Sequence, residues 1–417
     1  MSTETKKEVR ESRKTPVVMG SLATVILFFF GILGKPATVS FELTGVRELV
    51  QLPNLDVPSN LLGTSAGVLL LAITGFVAWQ VCKNIRPSIW FSMLFGAIAL
   101  VALLGWLAAG AVVPVAFILG SALVLAVPII LGAMAGVMSE RVGVVNIAIE
   151  GQLLTGAFVA SVVSTLTGNQ IIGILSAMIT AALFSAVLAV FAVRFMAQQI
   201  IVGVVLNVLA IGITNFLYQQ WVTEDESATN SPGTLPIIHV PFLSDIPIVG
   251  PVLFQNRITV FLAIGIVVVL WFVLFKTKLG LRARAVGENP LAADTVGINV
   301  SRTRFWWVTV GGLLAGLGGA ALTIGSSGSF GREMSGGLGF IALAVVILGR
   351  WHPGYATAAA LLFGFSIILR IWANQVSPGI PTSFITMVPY IVTIIAVVGF
   401  VGRSRPPAAD GIPYVKG

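Results

Sequence analysis

The amino-acid sequence predicts an all-α integral membrane protein, a polytopic bundle of about 10–12 transmembrane helices. Of its 417 residues, 57% are hydrophobic and only 10% are charged, and its mean hydropathy is +1.00. A soluble core of this length would need many more polar residues to cover its surface, whereas helices in lipid expose apolar side chains without penalty. The 45 glycines agree with this class, because small side chains let membrane helices approach closely.

The composition also excludes several kinds of chemistry. The single cysteine, Cys82, rules out an internal disulfide framework and a thiolate metal cluster. The two histidines, His239 and His352, are too few and too far apart to suggest a metal or redox centre. No metal ligands and no catalytic residues are therefore predicted. In a membrane chain the pI near 10.0 is interpreted as orientation by cytoplasmic Lys and Arg rather than as nucleic-acid binding.

The spans follow from the length needed to cross a bilayer. A hydrocarbon core of about 30 Å needs roughly 20 apolar residues per helix. This length predicts twelve candidate spans, at 17–34, 61–81, 88–110, 113–138, 152–167, 171–193, 199–220, 258–275, 305–323, 340–350, 355–373 and 384–402. Two of them, 152–167 and 340–350, are short enough to be broken or re-entrant helices, which are tolerated when packed inside protein.

The basic residues predict the orientation. With a cytoplasmic N-terminus and one crossing per span, 19 of the 24 Lys and Arg residues fall on the cytoplasmic side. The predicted organisation is a cytoplasmic tail at 1–16, N-terminal transmembrane helices at 17–110, a main core at 111–402 and a cytoplasmic tail at 403–417. Within the core, 221–257 is the largest external loop and 276–304 is the longest cytoplasmic loop.

The cytoplasmic loop contains a short predicted helix. Asn289 stands before Pro290, where a proline fits the first turn, and Gly297 is placed to end the helix. The helix is therefore predicted at 290–296, with Leu291 and Val296 on an apolar side too short to span a membrane. Two interpretations remain open on physical grounds: an interfacial helix resting on lipid headgroups, or a knob that inserts into a cytoplasmic partner.

Four quoted segments carry a resemblance to a known family. The run TKLGLRARAVGENPLAADTVGINVSR resembles the cytoplasmic coupling segment of permease subunits of ATP-binding-cassette importers, in the branch that handles branched-chain amino acids, ribose and nucleosides. SERVGVVNIAIEGQLLTGAF, QQIIVGVVLNVLAIGITNFL and AVVILGRWHPGYATAAALLFGF resemble further segments of that branch, in its nucleoside and simple-sugar version. The resemblance runs from about 113 to 402, and the first 110 residues, with two additional spans, are less matched.

The resemblance implies a type II importer fold and a transport subunit that is not itself an enzyme. In such proteins ATP is bound by a separate ATPase subunit, and this chain agrees, since its only Gly-Lys pair, Gly34-Lys35, is followed by Pro36 rather than Ser or Thr. The implied partners are that ATPase, a second identical or related permease chain and an external solute-binding protein or lipoprotein at the plasma membrane. The ATPase-coupling residues would be Glu288, Asn289, Pro290, Leu291, Ala292, Asp294, Val296 and Gly297.

Polar residues within the spans suggest where a solute would pass, because buried polar groups usually face a cavity or a partner. Asn207 and Asn215 lie roughly 80° apart around one helix, and Gln199 lies about another 80° round, so it is not expected to join them. Two interpretations weigh equally, hydrogen bonding to a solute and structural contact between helices. Phe330, with Phe216, Tyr218 and Trp221, lies near the predicted outer mouth, where aromatic rings could stack a nucleobase or simply form an interfacial belt.

The segment ERVGVVNIAIEG at 140–151 places charge between two apolar runs. Glu140 and Arg141 are interpreted as ordinary solvated charges at the inner interface. Asn146 and Glu150 are four residues apart, so a helix starting near Val145 would put them on one face. The hypothesis is a hydrogen-bonded bracket between them that holds a broken helix beside the pathway as an inner gate.

Within the importer class, nucleosides fit the resemblance best, simple sugars come second and branched-chain amino acids are the runner-up. An ion-coupled secondary transporter would need carboxylates within the spans, and such residues are nearly absent. A membrane enzyme acting on lipid would need a clustered catalytic set, and neither histidine has an evident partner.

Overall fold

The computed structural model describes residues 14–45, 48, 50–85, 87–376, 387 and 405–416. They fall into two compact units, one within Met1–Phe117 and Arg370–Met387 and the other within Ile118–Leu369 and Val388–Gly417. Ten described helices are long and apolar enough to cross a membrane, and an eleventh apolar helix, Leu338–Leu348, is shorter. The predicted helical class is confirmed, and the predicted span 384–402 lies outside the described residues.

In the part of the chain that the structure describes, the first unit contains three complete helices and a small sheet. Its helices are α1 (Lys14–Ile26, continued by a π-helical turn over Leu27–Ile32), α2 (Ser59–Cys82) and α3 (Ile89–Leu107). The strands β1 (Thr38–Glu42), β2 (Leu55–Pro58) and β3 (Val112–Pro114) form a sheet of order β2-β1-β3, antiparallel between β1 and β2 and parallel between β1 and β3. The sequence prediction contained no strands, because these lie in loops too short and too polar to show a hydrophobic period.

The second unit holds the remaining elements. Its helices are α4 (Val115–Glu140), α5 (Ile149–Thr167), α6 (Gln170–Val193), α7 (Gln199–Leu217), α8 (Glu226–Thr229), α9 (Ile258–Lys276), α10 (Lys278–Glu288), α11 (Pro290–Thr295), α12 (Val300–Leu322), α13 (Leu338–Leu348) and α14 (Pro353–Val376). The hairpin strands β4 (Ile237–His239) and β5 (Gln255–Arg257) pair antiparallel. Short π-helical turns, Tyr218–Val222, Gly250–Phe254 and Thr323–Ser327, complete the regular structure.

Helices α5, α6 and α12 form the centre of this unit. The buried share is 78% for α5 and 72% for α12, compared with 28% for α9, so α5 and α12 are interior and α9 is peripheral. Glycines allow the close contact: a Cβ added at Gly156 would lie 2.9 Å from the Cα of Gly316. Such backbone-to-backbone packing is typical of helices in lipid.

The two short predicted spans differ in outcome. The prediction at 152–167 corresponds to α5, which is an unbroken helix of 19 residues, so a broken or re-entrant helix is wrong there. The prediction at 340–350 corresponds to α13, which has only 11 residues and begins after the glycine-rich stretch that ends at Gly337. Val145 to Ala148 are not helical, and a turn at Ile147 and Ala148 leads into α5, so the helix does not begin near Val145.

Candidate functional site

Glu150 occupies the meeting point of two helix N-termini. It lies in the first turn of α5 and is only 6% exposed. Its carboxylate accepts hydrogen bonds from the Ser335 hydroxyl at 2.6 Å, the Gly337 amide at 2.8 Å and the Gly339 amide at 2.6 Å. The first amides of a helix have no partner within the helix and carry partial positive charge, so a carboxylate placed there satisfies both. The side chain therefore ties the start of α5 to the start of α13.

The contact requires glycine on the α13 side. Gly337 has φ +86, in the left-handed region that favours glycine. At Gly339 a Cβ would overlap the backbone amide and Cα of Glu150. The sequence GGLG at 336–339 thus provides both the turn and the close approach that this carboxylate needs.

The predicted bracket between Asn146 and Glu150 is wrong. Because the helix begins at Ile149 and not near Val145, the two residues do not share a helical face. Asn146 is fully buried and instead exchanges hydrogen bonds with the Gln152 amide at 3.2 and 3.3 Å, and it donates to Ser139 at 3.4 Å. Two separate polar contacts therefore replace the single bracket.

Helix α7 supports the α4–α5 connection (residues 141–148). Asn207 donates to the Ile147 carbonyl at 2.9 Å and accepts from the Gly151 amide at 2.8 Å. Gln199, which the sequence does not group with Asn207, accepts from the Val145 amide of the same connection at 2.8 Å. The connection runs along α7, and side chains two turns apart can therefore reach it. Of the two roles predicted for Asn207, these bonds correspond to the structural contact between segments.

Asn215 makes a different contact from Asn207. It donates to the carboxylate of Glu333 at 3.2 Å, in the stretch between α12 and α13, and its own buried Oδ1 has no protein hydrogen-bond partner. Nearby, Arg332 bonds to Gln219, and its guanidinium lies 5.0 Å from the centre of the Tyr218 ring. These contacts join the end of α7 to the loop before α13.

Phe330 is buried rather than open to a stacked ligand. It is 2% exposed, and its ring lies 5.2 Å from Phe158 and 6.0 Å from Tyr218, measured between ring centres. Asn230 accepts from the Phe330 amide at 2.8 Å and donates to its carbonyl at 2.9 Å. Asn230 also accepts from Ser161 at 2.7 Å. Sequence reasoning missed Asn230, which has no signal beyond being one asparagine in a polar loop. Phe216 and Trp221 are 62% and 51% exposed.

The predicted short helix in the 276–304 loop is confirmed as α11. The Asn289 side chain caps it by accepting from the Ala292 amide at 3.0 Å, Pro290 occupies the first turn and Gly297, with φ +83, follows its end. Leu291 and Val296 are 61% and 75% exposed. The preceding helix α10 was not predicted, because its apolar positions are interrupted by glycines and arginines.

Helix α10 contacts the α4–α5 connection through backbone. A Cβ at Gly287 would overlap the Arg141 carbonyl and lie 3.5 Å from the Gly143 amide. Gly287 is buried, and Glu288 ends the helix. At Gly287, α10 and the start of the connection therefore pack without an intervening side chain, which makes this contact stiff.

Glu140 is buried rather than solvated, contrary to expectation, and Arg141 beside it is half-buried. Glu140 is 3% exposed and accepts a hydrogen bond from the indole nitrogen of Trp351, while Arg141 donates to the Trp351 carbonyl at 2.9 Å. Burial, followed by the nearby charge of Arg284, lowers the pKa of Arg141. Arg350 and Trp351 both have positive φ, 52° and 53°, a strained turn for non-glycine residues that these contacts hold in place. Glu140 and Trp351 are 211 residues apart, so the sequence pattern could not predict that they form a hydrogen bond.

No group of three or more His, Cys, Asp or Glu side chains that could hold a metal ion occurs in the part of the chain that the structure describes. The polar clusters above join separate segments of the chain by hydrogen bonds.

Comparison with known proteins finds relatives over the second unit. The family model described as branched-chain amino acid transport system / permease component matches residues 118–397. The guanosine ABC transporter permease protein NupQ of Bacillus subtilis (strain 168) is 41% identical over 309 residues, which is 72% of this chain and 97% of that protein. The nucleoside ABC transporter permease protein NupC of Lactococcus lactis subsp. cremoris is 41% identical over 310 residues, 72% of this chain and 96% of that protein. The putative glucose ABC transporter permease protein TsgC13 of Haloferax volcanii is 36% identical over 250 residues, 60% and 75% of the two chains. No solved structure matches.

Proposed function

Because this chain belongs to the family of branched-chain amino acid transport system permease components, we propose that it forms the membrane pathway of an ATP-driven importer for nucleosides. Its similarity to proteins named as guanosine and nucleoside permeases supports the nucleoside assignment. The similarity to a protein named as a putative glucose permease makes simple sugars the second candidate, and branched-chain amino acids are the third.

One observation carries the proposed mechanism: a chain of direct contacts runs from the exposed helix α11 to the Glu150 carboxylate. Helix α10 precedes α11 and packs by backbone on Arg141. The α4–α5 connection then leads to Glu150, which holds Ser335, Gly337 and Gly339. A push on α11 is thereby directed to the loop between α12 and α13, as alternating access requires.

The ATPase partner would dock on α11. The apolar side chains of Leu291 and Val296 are exposed at this short helix in the described part of the chain. A hydrophobic groove on a partner protein could bind both side chains. The surrounding coupling residues, Glu288 to Gly297, would line the contact. ATP binding and hydrolysis then belong to the separate subunit, and this chain transmits the resulting motion.

The solute would enter where α7 meets the loop before α13. Asn215 has an unpartnered buried oxygen and Glu333 an exposed carboxylate, a pair suited to the hydroxyls and ring nitrogens of a nucleoside. The exposed rings of Phe216 and Trp221 offer apolar surface nearby in the chain. An external solute-binding protein would deliver the nucleoside to 221–257 and 325–339, and a second identical or related permease chain would complete the pathway.

The orientation follows the basic residues, with both tails and α10 and α11 in the cytoplasm of a cell whose plasma membrane the protein spans. A cysteine placed at Val296 should react with an impermeant thiol reagent only after cells are opened, whereas one placed at Ile237 should react in intact cells. Reaction of the Val296 position in intact cells would contradict this orientation.

The docking proposal is tested by the double substitution Leu291→Asp and Val296→Asp. Copurification of the ATPase should fall by about tenfold or more, because two charges would enter an apolar contact. The matched control is Ile237→Asp, at an exposed apolar position on β4, which should leave copurification unchanged. Full retention of the ATPase by the double variant would overturn the assignment of α11 as the docking helix.

The substrate is tested in vesicles containing this chain, its partner permease and the ATPase, supplied with the external binding protein. Guanosine or uridine uptake should require ATP and continue when the proton gradient is collapsed. Glucose and leucine serve as the competing solutes. Uptake driven by the gradient without ATP would support a secondary transporter, and leucine uptake without nucleoside uptake would support an amino-acid permease.

A further inference from the structure

The C-terminal strap (residues 405–416) is bound to the second unit at the same place as the coupling helices. The Ala409 amide donates to the Gly287 carbonyl at 2.9 Å, so the strap is hydrogen-bonded to α10. The Ala408 amide lies 3.4 Å from the carboxylate of Glu288, the last residue of that helix. The Tyr414 ring packs on a buried cluster that includes Val286 and Ala293 of the coupling helices. The strap therefore touches both α10 and the cluster to which α11 contributes.

Arg304 binds the strap and the α4–α5 connection together. It is 1% exposed, the largest fully buried side chain among the described residues. Its guanidinium donates to the Val142 carbonyl at 3.0 Å, to the Ile412 carbonyl at 2.8 Å and to the Ala409 carbonyl at 3.5 Å. A buried guanidinium is stable only when its donors are satisfied. Here the acceptors come from two separate segments, so removing the strap would leave the charge short of partners.

Gly143 gives independent support for this contact. Its φ is +83, and a Cβ there would lie 2.7 Å from the Ala409 carbonyl oxygen and 2.8 Å from the Arg304 guanidinium. The turn after α4 thus leaves room for the strap to approach at backbone distance.

We propose that the C-terminal strap, held by Arg304, positions the coupling helices and is needed to transmit their movement to the α4–α5 connection. Without the strap, α10 would lose its backbone hydrogen bond to Ala409 and Arg304 would lose two of its three acceptors, so a push on α11 would tilt the short helices instead of moving the connection. Arg304 acts as a positioning residue through the strap. The role in transmitting movement rests on the proposed function as an ATP-driven importer. The hydrogen bonds that hold the strap to α10 and Arg304 do not depend on that function.

The first experiment measures the tie itself. Hydrogen–deuterium exchange of peptides covering 283–297 is compared between the full chain and a variant lacking 405–417, both purified in detergent. Exchange in this segment should rise by about tenfold, while α5 and α6 peptides stay unchanged. Arg304→Lys keeps the charge but loses the three-way hydrogen bonding, and it should give an intermediate rise. Arg302→Ala removes an exposed arginine from the same turn of α12 and should change nothing. Unchanged exchange in both the truncated and the Arg304→Lys proteins would overturn the tie.

The second experiment measures coupling in reconstituted vesicles. The truncated chain should still copurify with the ATPase and hydrolyse ATP, but nucleoside uptake per ATP hydrolysed should fall by about fivefold. Equal uptake per ATP in the truncated and full chains would overturn the positioning role. A full-length chain that binds no ATPase would instead contradict the proposed function, and the exchange measurement would still decide whether the strap holds α10.

Discussion

The Gly339 amide donates a hydrogen bond of 2.6 Å to the Glu150 carboxylate, and this pair joins the first turn of α5 to the first turn of α13. Glu150 is separated from Gly339 by 189 positions in the chain. The contact places one buried charge against the positive ends of two helices, so it is both electrostatically favourable and specific in geometry. The proposed movement of the connection reaches the glycine-rich loop through this carboxylate.

Glu150→Gln should slow transport while leaving assembly intact. The oxygen of the new glutamine can still accept some of the three hydrogen bonds. Its NH₂ group cannot accept and would face one of the Ser335, Gly337 or Gly339 donors, which costs about 1–3 kcal/mol. Initial uptake rates should fall about tenfold relative to the amount of folded protein. Asp56→Asn, at an exposed carboxylate on β2 of the first unit, is the control. Wild-type uptake by the Gln variant would show that the charge is not needed.

Gly339→Ala should prevent correct packing of α13, because the added Cβ overlaps the backbone of Glu150 and no side-chain rotation relieves it. We expect a severe loss of monodisperse protein on size-exclusion chromatography. Gly265→Ala on α9 adds the same methyl group where no atom lies within 4 Å, and it should be tolerated. Equal yields from the two variants would contradict the close contact.

Trp351→Phe should lower thermal stability in detergent. Removing the indole nitrogen leaves the buried Glu140 carboxylate without that donor, at a cost of about 1–3 kcal/mol. A double-mutant cycle that combines Trp351→Phe with Glu140→Gln should give a coupling energy of about 0.5–3 kcal/mol, because the two side chains share one hydrogen bond. Trp90→Phe, at a position that is 74% exposed, is the control. Strict additivity in the cycle would argue against the pair.

Asn207→Ala and Asn215→Ala should separate structure from solute binding. Asn207 bonds two backbone groups of the entry to α5, so its loss should cost about 1–3 kcal/mol of stability. Asn215 bonds one exposed carboxylate, so its variant should keep near-normal stability and raise the KM for nucleoside uptake severalfold. Thermal unfolding and uptake kinetics on both variants distinguish the effects. A KM change in Asn207→Ala alone would reverse the assignment.

The strap should be held more tightly at low pH. Asp410 lies on a cavity of about 360 Å³ that Glu140 also lines. Burial raises the pKa of Asp410 from 3.8 to about 7, although the Arg304 guanidinium and the Gly411 amide oppose the shift. Because the pKa of Asp410 is higher in the bound strap than in a released strap, Asp410 binds its proton more tightly when the strap is bound. The strap is therefore held most tightly below about pH 3.8, and this contribution is lost as the pH rises through about 7.

The charged groups around Asp410 are Glu140 of α4, Arg304 of α12 and, beside Ala408, Glu288 of α10. Exchange in 283–297 should therefore increase between about pH 5 and about pH 8 beyond its intrinsic pH dependence. Asp410→Asn should reduce that extra increase. Arg405→Ala, at an exposed strap position, is the control. An Asn variant with the full wild-type pH dependence would show that Asp410 is not the titrating group.

Hydrophobic length predicted most of the membrane-spanning helices. Eleven of the twelve predicted spans have a matching helix among the described residues, because about 20 apolar residues in a row have few alternatives to a membrane helix. Asn289 as the N-cap and Pro290 in the first turn predicted α11, because capping depends only on residues next to each other in the chain. Helix α10 and the strands were missed, because α10 is interrupted by glycines and arginines and the strands are short and polar, and the expectation of a broken α5 was wrong.

The sequence by itself determined the class of protein, the approximate spans, the short helix α11 and the position of the polar residues along the chain, because these depend on local composition and spacing. Only the tertiary structure decided the partners of those residues. It paired Glu150 with Gly339 instead of Asn146, buried Glu140 against Trp351 and joined Arg304 to the C-terminal strap. Hydrogen bonds between segments 108 to 211 residues apart depend on how the helices pack, and no local pattern encodes that arrangement.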